Sequence, residues 1–325
     1  KLKKIFIVEA DSFDNVEGKF PIGFQIWDTT QNGTFQKIQA DVFDKKGNFI
    51  STKGLYSYDN TKYINDWIIE RRIKTIKNNL GRIFCVGSDF QHQSYCRINS
   101  QNIPNQSGFT IIDINRFNLI ECCVFFAVRH CIQATWLNDR DQFLYPNDGW
   151  KEDIEFQNDC LAFTIFHSQN RITSKESTNH WIPFTEYEVN SREKFDSNFM
   201  ANFINGKKID LKFDNNSNLN NTEIDELFGK IGNKITKLEF SSTAKKVFES
   251  GKELWKYYHS QENCNVNASL YDIREYFQGR NKIGKMNNKS DDEKYTELIE
   301  FLRDNLKILA NKIEPKIYKY GFLKI

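Results

Sequence analysis

The sequence predicts an α+β protein: β-rich at its N-terminus, mixed in the middle and helical toward its C-terminus. Three observations carry this expectation. The first 60 residues hold short apolar runs separated by turn formers: Pro21, Asn32-Gly33 and Lys46-Gly47-Asn48. Residues 116–136 (RFNLIECCVFFAVRHCIQATW) make an apolar run too long for one strand and suited to a buried helix. Near the C-terminus, Tyr295, Leu298, Leu302, Leu306, Leu309 and Ile313 recur at steps of three and four, the spacing of one helix face.

In chain order, residues 2–10 and 23–28 read as strands, with a turn at 19–23 between them. Asn32-Gly33 is a hairpin signal leading into a third strand at 34–43, and Lys46-Gly47-Asn48 leads into a fourth at 49–55. Residues 63–80 have helical spacing, with Trp67, Ile68 and Ile76 apolar and Arg71 and Lys74 basic, and Gly81 as a stop. Residues 82–86 and 109–114 read as strands across a polar loop, 92–107. His130, inside the apolar run, is expected as a hydrogen-bonded core residue rather than a ligand. Asp139, Asp141 and Asp148 lie in an acidic loop whose spacing does not match a calcium loop. Helices are expected at 154–166, 190–205, 243–261 and 270–277, and Asp214 to Asn221 (DNNSNLNN) reads as a boundary or mobile loop. Ser290-Asp-Asp-Glu293 reads as a capping box for the last helix, which Pro315 is expected to end or kink.

The bulk properties narrow the function classes. At 325 residues the chain suits two or three domains, and 39% hydrophobic content suits a sizeable core. A net charge of +2 excludes a strongly basic coat, so any nucleic-acid site must be a local patch. The seven cysteines show no Cys-x-x-Cys and no metal-ligand spacing, which points to reduced, buried thiols in the cytoplasm. No run of 18 apolar residues marks a membrane span. The chain opens on Lys1 rather than Met, which suggests a piece of something longer.

One stretch stands out chemically. Residues 277–290 (FQGRNKIGKMNNKS) carry Arg280, Lys282, Lys285 and Lys289 and no acid. Gly279 and Gly284 allow close backbone approach. Asn281, Asn287 and Asn288 supply amides that both donate and accept. Cations to hold phosphates and amides to reach base edges suit a nucleic acid; the alternative is a solvated loop between two helices. A second Ser/Thr/Asn-rich loop, 167–181, offers Arg171, Lys175 and His180 for the same purpose.

Several chemistries lack their signatures. There is no P-loop, no Gly-x-Ser-x-Gly and no HExxH. With prolines only at 21, 104, 146, 183 and 315, no Pro-Pro loop of an adenine methyltransferase exists. Asp14, Glu17 and Lys19 mimic part of a nuclease motif, but they crowd into one short turn.

Residues 5–28 (IFIVEADSFDNVEGKFPIGFQIWD), 143–166 (FLYPNDGWKEDIEFQNDCLAFTIF) and 268–290, with its continuation to 322, resemble the C-terminal half of bacterial N6-adenine DNA methyltransferases of restriction–modification systems. The resemblance implies that residues 1–60 are a β-rich remnant, the last strands of a methyltransferase sheet. It implies a mixed region at 61–235 for target recognition, and a helical region at 236–325 with the basic loop. The implied partners are double-stranded DNA and the chain's own missing N-terminal methyltransferase domain, with no membrane. No catalytic, cofactor or metal residue is expected in this chain; S-adenosylmethionine is implied for the full-length parent. The expected DNA-binding residues are Arg280, Lys282, Lys285, Asn287, Asn288, Lys289, Arg171 and Lys175. The alternatives are an interaction scaffold, with the last helix docking a partner subunit, and a nuclease.

Overall fold

The computed structural model describes residues 1–73, 80–100, 108–207 and 236–324. It is an α+β fold. Strands β1 (Leu2–Glu9), β2 (Pro21–Trp27), β3 (Lys37–Phe43) and β4 (Phe49–Tyr56) form one mixed sheet in the order β2-β1-β3-β4. β1 and β2 make the expected antiparallel pair, with Phe6 opposite Phe24 and their rings stacked 4.9 Å apart. β3 and β4 make the second, turned at Gly47, where the Asp44 carboxylate accepts from the amides of Lys46 and Asn48.

The Asn32-Gly33 expectation fails. β2 does not pair with β3; the chain crosses over and lays β3 parallel to the far side of β1. The reason is burial. The parallel register sets Ile5 beside Ala40 and Ile7 beside Val42, and all four are buried. A local turn preference is worth less than a continuous apolar face.

The second sheet, in the order β7-β5-β6-β8, comprises β5 (Gly81–Val86), β6 (Arg97–Asn99), β7 (Phe109–Ile114) and β8 (Asn170–Arg171). The last-paired strands β6 and β8 lie in segments that read as polar loops. Two or three residues bearing an arginine show no alternation to detect.

The helices are α1 (Ile64–Ile69), α2 (Leu119–Cys131), α3 (Ile154–Phe166), α4 (Phe199–Ile204), α5 (Ser242–His259), α6 (Leu270–Gln278) and α7 (Glu293–Lys319). One contiguous core runs from Ile64 to Leu323, and a smaller one lies against the first sheet. Helices α2 and α3 are buried almost all round, as their composition requires. Gly251 lets α5 close on α3: a Cβ there would lie 2.3 Å from the Phe166 ring. All seven cysteines are unpaired, and all but Cys264 are buried.

Four helix expectations need correction. The helix expected at 63–80 ends at Ile69, where Arg71 and Arg72 turn back with bonds to Ile68 and Ile69; residues 74–79 lie outside the described residues. The helix expected at 190–205 spans only α4, because Asn190 takes a left-handed φ of 53° and the chain stays irregular until Asn198. The cap of α7 is Asp292, not Ser290: its carboxylate accepts from the Tyr295 amide at 2.7 Å. Pro315 neither ends α7 nor divides it. Pro315 and Asn311, whose carbonyl loses its helical partner, both face outward, where water can serve. The polar run 214–221 lies outside the described residues.

His130 behaves as expected of a core histidine. Its Nε2 lies 2.9 Å from the Cys96 carbonyl, and its ring lies 4.5 Å from that of His167. Burial pushes both imidazoles down; the neighbouring His167 adds to the effect on His130, and Arg274 lowers His167 further, to about 3. The unfolded chain therefore takes up these protons first as pH falls. Stability should be full above about pH 6.5 and fall below it, by up to about 1.4 kcal/mol per pH unit for each imidazole. Urea unfolding at pH 7 and pH 5 measures this; an unchanged midpoint would contradict it.

Candidate nucleic-acid interface

The site is built on the start of α6. Ser269 and Asp272 cap that helix reciprocally: the Ser269 hydroxyl accepts from the Asp272 amide at 3.1 Å, and the Asp272 carboxylate accepts from the Ser269 amide at 3.0 Å. The same buried carboxylate also accepts from the Thr173 hydroxyl at 2.5 Å and from the Ser174 amide and hydroxyl at 2.8 Å each. Ser269 in turn donates to the Ile172 carbonyl at 2.5 Å. One aspartate thus staples the segment after β8 to α6.

That staple brings together the two basic loops. Glu275, one turn on, pairs with Lys175 at 2.6 Å and with Arg280 at 2.7 Å. Its carboxyl is held below the usual range, chiefly by the hydrogen bond from Arg280 and then by that from Lys175. A cleft of about 310 Å³ opens between them, lined by Asn99, Arg171, Lys175, Tyr271 and Arg280, with Glu176 and Glu275 as its acids. Arg171 is half-buried; burial lowers its pKa, with the charge of Arg97 the next cause.

Residues 277–290 form a tight hairpin rather than a slack loop. Gly279 ends α6 with a φ of 65°. Arg280 bridges Met286, the Asn281 amide donates to the Lys285 carbonyl, and the Gly284 amide donates to the Asn281 carbonyl, the last two at 2.9 Å. Ser290 closes the base by donating to the Phe277 carbonyl at 2.7 Å.

The eight expected residues therefore divide into two kinds. Arg280 is engaged inside the hairpin: besides Glu275, it donates to the Gly284 carbonyl at 2.7 Å and to the Tyr271 hydroxyl at 3.2 Å. The Asn287 amide donates to the Gln278 carbonyl at 2.9 Å. Lys175 is tied to Glu275, and Arg171 to Gln169. Lys282, Lys285, Asn288 and Lys289 are exposed, and the three lysines make no ion pair among the described residues. Asn99 and Tyr271, at the cleft, were missed by the sequence reading; the pairing of β6 with β8 sets Asn99 beside Arg171.

The other sequence candidates are accounted for by their neighbours. Arg71 lies over the Trp67 ring at 5.5 Å and 3.6 Å from Glu70. Asp141 pairs with Lys53, Asp148 with Lys151 and Asp139 with Arg140. Lys19 lies 4.0 Å from Glu9. No group of three or more His, Cys, Asp or Glu is placed to hold a metal among the described residues, so nothing here favours the nuclease alternative. No helix among the described residues is long and apolar enough to cross a membrane.

Comparison with known families, curated proteins and solved structures yields no match for this chain.

Proposed function

We propose that this chain is the DNA-recognition portion of a site-specific adenine-N6 DNA methyltransferase, gripping duplex DNA through the hairpin 277–290. The observation that supports this most is the trio of exposed lysines, without an ion pair among the described residues, on an acid-free hairpin whose own backbone and asparagines hold it in shape. A rigid cationic projection costs little ordering on binding. Lys282, Lys285 and Lys289 hold phosphates, and Asn288, whose amide is exposed, reads a base edge. Arg280 and Asn287 position the others. On this reading the S-adenosylmethionine-dependent chemistry belongs to a preceding methyltransferase domain in the cytoplasmic parent enzyme. The edge strand β2, with Phe24, Ile26 and Trp27 exposed, is where that domain's sheet continues. Fluorescence anisotropy of a labelled duplex against salt tests the DNA contact, and light scattering without DNA separates it from a scaffold that assembles on its own.

Glu275 gives a sharper check. Its carboxylate neutralises Lys175 and Arg280 beside the hairpin. Glu275→Gln removes the charge and keeps one acceptor oxygen for Arg280 while releasing Lys175, so duplex affinity should rise several-fold, with a log–log salt slope steeper by about one contact. Weaker binding by this variant would contradict the placement of the duplex.

A further inference from the structure

A second cavity lies elsewhere, between the C-terminal ends of α2 and α3, the start of α6 and the middle of α7. Its volume is about 810 Å³, in the range that takes a small molecule. We propose that it binds a nucleoside phosphate whose base carries an exocyclic amino group, with the phosphate on Arg274 and Arg303 and the base against His167.

The cationic end calls for an anion. Arg274 is half-buried and makes no ion pair among the described residues. It donates to the Ser168 carbonyl and the Gln278 side chain at 3.4 Å each, both long contacts, and it also bonds the Tyr295 side chain. Burial lowers its pKa, and Arg303 nearby pushes the same way; Arg171 feels its charge from the other side. Clustered guanidinium groups with no carboxylate are costly unless an anion joins them. Arg303 and Lys307 are exposed at the mouth and are likewise unpaired among the described residues.

The wall beyond is aromatic and carries hydrogen-bonding edges. His167 stacks on Phe163 with ring centres 5.0 Å apart. Its Nδ1 accepts from the Gln169 amide at 3.2 Å, which places its ring proton on Nε2. His130 directs Nε2 at the Cys96 carbonyl, which leaves its Nδ1 as an acceptor. Both rings line the cavity with Phe163 and Phe166, so its aromatic wall carries one ring donor and one ring acceptor. At the other end stand Asn311 and Glu314. Glu314 lies eleven positions after Arg303 on α7, about 16 Å along the helix axis. The cavity is therefore cationic at one end, aromatic in the middle and acidic at the other. A phosphate, a base and an amino group match those three parts in order. A fatty acid would leave the histidine edges and Glu314 unmatched, and a sugar phosphate would leave the aromatic wall unused.

Titration calorimetry of the whole chain with 5′-AMP, IMP, adenosine, inorganic phosphate and a deoxyadenosine tetranucleotide tests this. AMP should bind about tenfold or more tighter than adenosine or phosphate alone, and tighter than IMP, which lacks the amino group. Arg303→Met, a change at an exposed position that the fold tolerates, should weaken AMP by about tenfold, and Glu314→Gln should erase the preference over IMP. A tetranucleotide that competes with AMP identifies a strand unit as the natural ligand; one that does not identifies the free nucleotide. Either result supports the site. Equal binding of AMP by the Arg303→Met variant, phosphate binding as tight as AMP, or no binding by any probe would overturn it. The proposal does not rest on the DNA reading: a variant lacking Lys282, Lys285 and Lys289 should bind AMP as before.

Discussion

Replacing Lys282, Lys285 and Lys289 together by alanine is expected to flatten the salt dependence of duplex binding by about three units of log–log slope and to cut affinity at low salt by more than about tenfold. The three ammonium groups have no carboxylate to satisfy among the described residues, so their removal costs the fold nothing. Circular dichroism and the unfolding midpoint should be unchanged, which isolates the loss to binding. Arg280→Ala should behave differently. It breaks the bonds to Gly284, Tyr271 and Glu275, so the hairpin loosens and binding falls through lost shape as well as lost charge. A variant free of all three lysines that keeps the parental salt slope would rule out the hairpin as the phosphate contact.

Asp272→Ala is expected to cost on the order of 3 kcal/mol of stability, far more than an ordinary surface change. The carboxylate is buried and accepts from Thr173, Ser174 and Ser269 at once. Its removal strands several donors out of reach of water. The damage should be local first: amide exchange in residues 170–175 and at the start of α6 should rise before the rest of the core opens. Asp272→Asn keeps one acceptor oxygen and should fall between the two in urea unfolding. If Asp272→Ala unfolds at the parental midpoint, the two basic loops are not joined through this residue.

The parts of this fold that the sequence predicts are those governed by one-dimensional patterns. The bounds of α3 follow from an apolar run closed by Asp153 and His167. α6 follows from Ser269 and Asp272 at capping spacing, and the stripe of α7 from its steps of three and four. What the sequence did not predict depends on partners distant along the chain. β3 ignores the Asn32-Gly33 signal because its apolar face is completed by β1. β6 is a strand because it bonds β5 on one side and β8 on the other, and β8 because it has the edge of β6 to bond. The candidate site divides the same way. The cations of 277–290 stand out by composition alone. That Arg280 and Asn287 are tied within the hairpin by hydrogen bonds to Gly284 and Gln278, while Lys282, Lys285 and Lys289 make no ion pair among the described residues, is something spacing does not encode. The union of both loops through Glu275 joins residues 100 positions apart and leaves no trace in local sequence.

The central claim is that the hairpin lies against DNA, and lysine acetylation read by mass spectrometry with and without duplex tests it most directly. Lys282, Lys285 and Lys289 should be modified readily in the free protein and protected in the complex, while Lys252, on α5 and outside the lining of the cleft, reacts alike in both. Protection of other lysines with all three hairpin lysines equally reactive would contradict the account.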